Sequence, residues 1–499
     1  MSVFIFVVYL AMLAVIGYVT FRKTKSYDDF TLGGRSNNKW VTALSTESTD
    51  MSSWLLLGLP GMAFSTGYGS VWLLIGLLFG TFFNWAVVAG KLRRITEHYN
   101  AITLIEFFEK RLGDKSGILA LIAGLVIVVF MTVNSSAEVI GSGKLMSAAF
   151  GISYHAGMYI GIGIVLVYTF LGGFLALSWS NLVQGTLMII ALVLVPAVAL
   201  SHLGGTSGLA TSLLSQDKNF FSLFSGAQGQ GFWPIVALIT GGLGVGICYP
   251  GQPHVITTYM GIKHPEEVKA STVIAMIWVG VTCYGAVVIG MMGRSMFPNI
   301  QDPEQTFLLL AKALFSSRMI GFFAAAVMSA LLSSLSAYLL VAAASFASGT
   351  YRRIAKITDD TKLVLVQRVL IVVIALVALL LSLQGGLVYK VALFATAGLG
   401  SCFAPLVLFS LYSSRVNTKG AIWSMIVGMA TVLLWWNLGL SKYVYEAIPG
   451  LVASTITLLV VSKLTGGPDK SVKERFLDFV SKDTNRKNLR MEGEANVNR

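Results

Sequence analysis

Charge is what this sequence has least of. Only 12% of its 499 residues are Asp, Glu, Lys or Arg, against roughly 25% in a soluble globular protein whose surface must be wetted. So little charge cannot cover a water-facing surface of this size, and a chain that is 55% hydrophobic must turn much of its surface to lipid. Cysteine is nearly absent as well. Cys248, Cys283 and Cys402 all fall inside apolar stretches, which argues against a disulfide framework, and no metal-ligand spacing links them. The five histidines, His98, His155, His202, His254 and His264, are scattered over loops and the ends of apolar runs. None forms a metal or nucleophile constellation with Cys or Asp, so an enzyme is not expected. No glycine loop between a strand and a helix offers a phosphate cradle, because the glycines of Gly241–Gly246 lie within an apolar run. Nucleotide-driven pumping and an organic cofactor are therefore not expected either.

Glycine, by contrast, is abundant: 51 residues, which suits close helix packing and interrupted helices in a membrane. Crossing the hydrocarbon core takes roughly 20 apolar residues, and that measure predicts about thirteen spans. They fall near 2–21, 41–64, 70–90, 117–149, 157–177, 179–203, 233–260, 270–296, 317–350, 363–384, 389–412, 420–439 and 447–463. The expected fold class is an all-α integral membrane protein, with a transmembrane domain over 1–463 and a charged tail over 464–499. The first twenty residues lack a basic leading region and a small-residue cleavage site, so they read as a retained span.

The net charge of +13 would suggest nucleic acid in a soluble protein. Here the basic residues lie between apolar runs. With the N-terminus outside, the inner loops 22–39, 91–116, 261–269, 351–362 and 413–419 and the chain from Lys463 onward hold 28 of the 36 Lys and Arg. The positive-inside rule then places the C-terminus in the cytoplasm, and no nucleic-acid partner is expected. In the tail, Phe476, Phe479 and Val480 within Val472–Lys482 suggest a short interfacial helix, with a disordered basic tail as the alternative.

Two spans contain what a continuous apolar helix avoids. Span two carries Ser45-Thr46-Glu47-Ser48-Thr49-Asp50-Met51-Ser52-Ser53 and then Pro60-Gly61; span seven carries Gly241–Gly246 and then Tyr249-Pro250-Gly251-Gln252-Pro253-His254. Non-helical backbone at membrane depth is tolerated only where it is buried or lines a cavity, and paired interruptions in corresponding halves point to a transporter's binding site. The two spans lie five apart, which predicts a five-plus-five inverted repeat of spans 2–6 and 7–11, a core of about 40–412. Spans four and nine then correspond, and each carries a polar cluster: Asn134-Ser135-Ser136 and Ser333-Ser334-Leu335-Ser336.

A carboxylate at the bilayer centre costs at least about 2.5–3.5 kcal/mol, so Asp50, Glu47 and Glu138 are functional candidates, although Glu138 has a potential partner in Lys144. Sodium, a hard cation, takes oxygen ligands. Carbonyls freed by a broken helix and hydroxyls on a facing one supply them, and spans two and nine together offer both. Proton coupling through Asp50 or Glu47 stays open on these residues alone.

Five stretches then carry a family resemblance over nearly the whole chain: Asp28-Asp29-Phe30-Thr31-Leu32-Gly33-Gly34-Arg35, Asp50-Met51-Ser52-Ser53-Trp54-Leu55-Leu56, Tyr168-Thr169-Phe170-Leu171-Gly172-Gly173-Phe174, Gly251-Gln252-Pro253-His254, and Arg415 with Gly420-Ala421. The chain resembles the sodium:solute symporter family, and within it the bacterial sodium/proline symporters. The resemblance implies a sodium site with carbonyl ligands from Ser48, Met51 and Ala330 and hydroxyl ligands from Ser333 and Ser334. It implies coupling support from Asp50 and Ser52, and a cytoplasmic gating role for Arg35. It implies substrate contacts at Trp54, Asn134, Val245 and Tyr249, a small amino acid such as L-proline as substrate, Na+ as coupling ion, and a bacterial inner-membrane location. Five positions depart from the family's pattern, which leads one to expect tyrosine at 134, tryptophan at 245 and an acid at 181, and against which Glu47 and Glu138 are unusual. Asparagine and valine at the first two leave a roomier pocket, so a different small amino acid is the alternative substrate. A non-transporting membrane sensor would be expected to add a large signalling domain, for which the tail offers no globular pattern.

Overall fold

The computed structural model describes residues 2–22, 26–352 and 359–497, and they fold as helices joined by short turns. Among the described residues, eleven helices are long and apolar enough to cross a membrane, rather than thirteen. Two expected spans account for the difference. Span two is cut by its polar run into α3 (Lys39–Asp50) and α4 (Leu59–Thr66), and α4 runs on through 3-10 and π turns into α5 (Val71–Phe83) and α6 (Gly90–His98). The fifth expected span amounts to a shorter apolar helix, Tyr154–Phe170.

The other long helices in order are α1 (Ser2–Phe21), α8 (Ile118–Phe150), α9 (Tyr154–His202), α11 (Phe232–Cys248), which is followed by the short α12 (Pro253–Met260), and α13 (Val268–Met296). They continue with α15 (Ile320–Ser345), α16 (Asp360–Ser382), α17 (Val388–Tyr412), α18 (Thr418–Asn437) and α19 (Ala447–Leu464). Shorter pieces are α2 (Tyr27–Leu32), α7 (Leu104–Leu112), α10 (Gly205–Gln216) and α14 (Thr306–Leu314), and α20 (Lys470–Val497) follows at the end. Local chemistry sets the boundaries. Asn38 caps α3 by accepting the Trp40 and Val41 amides at 3.0 Å, and Asn417 caps α18 by accepting from Gly420 at 2.9 Å. Gly173 (φ 56°, ψ −161°) divides α9 into the two segments read as separate spans, a backbone conformation that suits glycine.

Small residues decide where the two halves cross. A Cβ on Gly76 would stand 2.1 Å from the Gly242 carbonyl oxygen, and one on Gly80 would stand 2.4 Å from Gly246 Cα. α5 and α11 therefore touch backbone to backbone through paired glycines four residues apart, an arrangement that any side chain would force open. At the centre lies α15. Its apolar window is buried throughout, whereas only about a third of the corresponding windows of α16, α18 and α19 is buried.

One end of the bundle gathers the basic loops. There Arg93 Nε donates to the Ile262 carbonyl at 2.6 Å, and Arg111 Nε donates to the Ser410 carbonyl at 3.0 Å. α20 docks on this basic end. The short helix expected over Val472–Lys482 extends over Lys470–Val497, and Phe476 and Phe479 are buried against protein. Phe476 lies under the Arg111 guanidinium at 3.8 Å, and the Phe479 ring centre is 5.4 Å from that of His98. Burial pushes the Arg111 guanidinium down to about 10. At the opposite end, Lys144 Nζ lies 2.6 Å from Glu304 and 3.0 Å from Asp302.

Candidate functional site

The interruption of span two begins where α3 stops at Asp50. The Met51 amide makes the last i→i−4 bond, to Glu47 at 2.8 Å, and Met51 then leaves the helix with φ −80° and ψ 60°. Ser52 donates back to Asp50 at 2.9 Å, and a π turn over Trp54–Gly58 leads into α4. Pro60, in the first turn of α4, has no N–H to return to the chain behind it. The break in span seven falls on Tyr249–Gly251, between α11 and α12. Gly251 is required there, since a Cβ would stand 2.5 Å from the Ala404 amide nitrogen. The two breaks face each other: the Tyr249 hydroxyl donates to Asp50 Oδ2, and the Thr46 and Thr258 hydroxyls meet at 2.5 Å.

α15 completes a cluster of oxygens beside the first break. Ser333 Oγ is 2.7 Å from the Ser48 carbonyl oxygen and 2.9 Å from that of Ala330. Ser334 Oγ is 2.7 Å from the carbonyl oxygen of Thr49, a residue the sequence did not single out. All of these residues are buried. Met51 and Ser52 occupy the break itself, and the Met51 thioether lies 4.0 Å from Cys283 Sγ. Two hydroxyls and three carbonyls, with the Asp50 carboxylate one residue from Thr49, form a set made wholly of hard oxygen donors. That chemistry suits an alkali cation and not a soft metal.

The acids have separate tasks. Asp50 accepts from Tyr249, and its Oδ1 lies 3.6 Å from His254 Nε2. His254, scattered by sequence, thus belongs to this cluster, with its ring edge-on to Tyr338 at 4.8 Å. Glu47 accepts from the Trp85 indole at 2.8 Å. Glu138, from α8, accepts the Ser53 amide at 3.1 Å, at the start of the second half-helix, where a freed N–H needs an acceptor and the helix dipole favours negative charge. It does not pair with Lys144, which is bound to Asp302 and Glu304. Six residues along a helix amount to about 600° of turn, so the two side chains leave α8 on different faces. Asn181 donates to the Ser45 and Thr49 hydroxyls at 3.2 and 2.7 Å, stiffening α3 from α9.

Trp54, Asn134, Val245 and Tyr249 all line one narrow cavity of about 40 Å3 between the breaks, together with Asp50, Gln252, His254, Tyr338, Tyr389 and Thr396. The Trp54 indole donates to the Asp50 carbonyl at 3.2 Å, which orients the ring as one wall. Tyr389 and Thr396 escaped the sequence reading because α17 has no interruption to flag them. Arg35 lies away from this cavity, at the basic end, and joins none of the ion-site residues. Its guanidinium donates to the Ala101 carbonyl at 2.9 Å, and its own φ of 53° is one that L residues rarely adopt. Burial, with Arg93 close by, lowers its pKa from the ordinary value.

Known proteins match this architecture. The profile of the sodium:solute symporter family covers residues 30–428. The chain is 39% identical to the high-affinity proline transporter PutP of Bacillus subtilis, over 93% of this chain and 98% of that protein. It is 37% identical to the sodium/proline symporter of Escherichia coli, over 95% of each. Among solved structures, a Na+-coupled sialic acid symporter superposes with a TM-score of 0.80 at 19% identity, covering 94% of this chain and 99% of that one. Mhp1, a nucleobase-cation-symport-1 family transporter, superposes at 0.57 and 14% identity, over 90% and 98% of the two chains. These two likenesses speak for the fold alone. The family match over most of the chain and the proline-transporter relatives that match more than nine-tenths of it place this protein among transporters: it belongs to the sodium:solute symporter family.

Proposed function

We propose that this protein is a sodium-coupled symporter that imports a small amino acid, L-proline before others, by alternating access. The observation that carries the reading is the oxygen cluster of Ser48, Thr49, Ala330, Ser333 and Ser334, which bridges the broken helix and α15. Met51, from the break, is the remaining carbonyl ligand proposed. A cation shared by two elements holds them at a fixed distance, and the adjoining break is the wall of the substrate cavity. Ion binding therefore sets the shape that substrate meets. Asp50 and Ser52 support that coupling, and Trp54, Asn134, Val245 and Tyr249 contact the substrate.

The relatives named as proline transporters support proline. Asn134 and Val245, which line the cavity, favour as second reading a bulkier or more polar small amino acid. The basic end, with Arg35 as part of its gate, is the cytoplasmic one, and the protein resides in a bacterial cell membrane with its N-terminus outside. A charge crossing about 100 mV gains about 2.3 kcal/mol, and a tenfold sodium gradient adds about 1.4. Together they sustain roughly 500-fold accumulation at one ion per substrate.

The test is uptake of labelled L-proline into proteoliposomes with and without an inward sodium gradient, beside a panel of other small amino acids. Sodium-driven proline uptake is expected. Sodium-driven uptake of another amino acid alone would replace the substrate, and no sodium-driven flux of any of them would refute symport.

A further inference from the structure

Most of α1 faces lipid, yet it touches the helix that carries the ion cluster. The Tyr9 hydroxyl accepts from Ser329 of α15 at 2.9 Å and from the Gln184 side chain of α9 at 3.3 Å, and Ser329 stands one turn before Ser333. Beyond Tyr9 the helices leave a groove of about 600 Å3. By the same measure the central cavity is about 40 Å3. Ala14 and Gly17 of α1 and Gly163 and Val167 of α9 form its walls, and Leu332 of α15, the neighbour of Ser333, is its floor. A Cβ on Gly17 or on Gly163 would meet nothing within 4 Å. The glycines where α5 crosses α11 bring two helices together; these two keep a space open.

The chemistry of the groove selects what fills it. Its side chains are hydrocarbon apart from the Tyr18 and Tyr168 hydroxyls, and that of Tyr168 is spent on the Ala176 carbonyl at 3.0 Å. A buried water needs about two to four polar partners, which these walls do not supply. In a bilayer the apolar filler at hand is an acyl chain, and without one the walls forfeit their dispersion contacts. Charge at one end says which lipid. Tyr18 lines the groove, and Arg22, one turn on, donates to the Tyr18 hydroxyl with its guanidinium 4.7 Å from the ring centre. Arg22 is exposed and makes no ion pair among the described residues. A guanidinium has five N–H donors and suits a phosphate bidentately. It also opens the first of the basic loops, on the side read as cytoplasmic, where anionic lipids gather.

We propose that this groove binds an anionic membrane phospholipid, one acyl chain lying against Leu332 and the headgroup phosphate held by Arg22. A chain seated behind Leu332 limits the movement of the turn that carries Ser333 and Ser334. Lipid and sodium should then favour one another, since coupling between two sites is reciprocal. This second step rests on the ion cluster described under the proposed function; the lipid site itself does not.

The experiment counts the lipids kept by the full chain, by native mass spectrometry, after release from nanodiscs of phosphatidylcholine and phosphatidylglycerol in equal parts. The native protein should keep one phosphatidylglycerol in preference to phosphatidylcholine. Arg22→Gln should hold it roughly tenfold more weakly and lose the preference. Gly17→Leu/Gly163→Leu, whose side chains grow into the groove, should keep none. Arg22 is exposed, so its result does not hinge on whether the leucine pair folds. In proteoliposomes, the sodium concentration for half-maximal proline uptake should be lower with phosphatidylglycerol than in phosphatidylcholine alone, and Arg22→Gln should erase that difference. No preferential retention in the native protein, or retention unchanged in Arg22→Gln or in the leucine pair, overturns the site. Retention that behaves as expected, with the same sodium response in both lipids, overturns the link to the ion cluster and keeps the lipid. Sodium-driven uptake beside an overturned site leaves the symport reading standing. A retained lipid without any sodium-driven uptake sinks symport and leaves the lipid site.

Discussion

Ser333→Ala is the sharpest perturbation of the oxygen cluster. The hydroxyl lies 2.7 Å from one carbonyl and 2.9 Å from another, so its removal deletes one of the ligands proposed for the cation and leaves both carbonyls in place. A polar contact to a charged group is worth about 1.5–3 kcal/mol, and an ordinary hydrogen bond about 1. The ion-bound state thus loses the larger amount and the ion-free state the smaller. The difference, about 0.5–2 kcal/mol, corresponds to roughly 2–30-fold weaker sodium binding. Ser334→Ala, with its contact to Thr49 at 2.7 Å, should act in the same direction, and the double variant should bind sodium too weakly to saturate. The assay is the sodium concentration for half-maximal uptake in proteoliposomes, with sodium-induced thermal stabilisation as an independent readout. A change below twofold in both readouts, in folded Ser333→Ala protein, would refute the placement of the ion.

Three further outcomes follow from the geometry. Lys144→Met strands Glu304, which is 1% exposed and also accepts the Val388 and Tyr389 amides at 3.0 and 3.1 Å. Breaking such a pair should cost about 3–5 kcal/mol in thermal unfolding, most of it recovered in Lys144→Met/Glu304→Gln; a double variant no better than the single would argue against the pairing. Glu138→Ala leaves the buried Ser53 amide without its acceptor and should cost about 1–3 kcal/mol, whereas Glu138→Gln keeps an acceptor and should cost less, as differential scanning in lipid nanodiscs can measure. Asn134→Tyr with Val245→Trp adds aromatic walls to the cavity and is expected to lower the KM for proline; an unchanged KM for every amino acid tried would detach these positions from substrate.

Much of this was legible in the sequence. The two interruptions at Asp50–Ser53 and Tyr249–Gln252 announce themselves because proline, glycine and serine runs cannot hide in a lipid-facing helix. Trp54, Asn134, Val245 and Tyr249 do share one cavity. Other features were not legible. Glu138 was given a partner by proximity along the chain, but helical rotation carries Lys144 to another face, where Asp302 and Glu304 wait. Eleven rather than thirteen helices are long and apolar enough to cross among the described residues, because a polar run cuts α3 from α4, Trp54–His98 runs on as one stretch, and Tyr154–Phe170 is shorter. The tail's two phenylalanines, read as facing a membrane or nothing, face Arg111 and His98.

What the sequence determined by itself is what accumulates locally: a lipid-facing surface from scarce charge, the basic loops, and the places where helices cannot continue. Which oxygen meets which hydroxyl was decided by the tertiary structure alone. Ser333 reaches Ser48 across 285 residues and Tyr249 reaches Asp50 across 199, and such distances are set by how closely helices pack. At the crossing of α5 and α11 that closeness depends on the absence of four side chains, at Gly76, Gly80, Gly242 and Gly246. Hydropathy and periodicity are sums over neighbours in the chain. A site is a coincidence of neighbours in space, and only packing produces it.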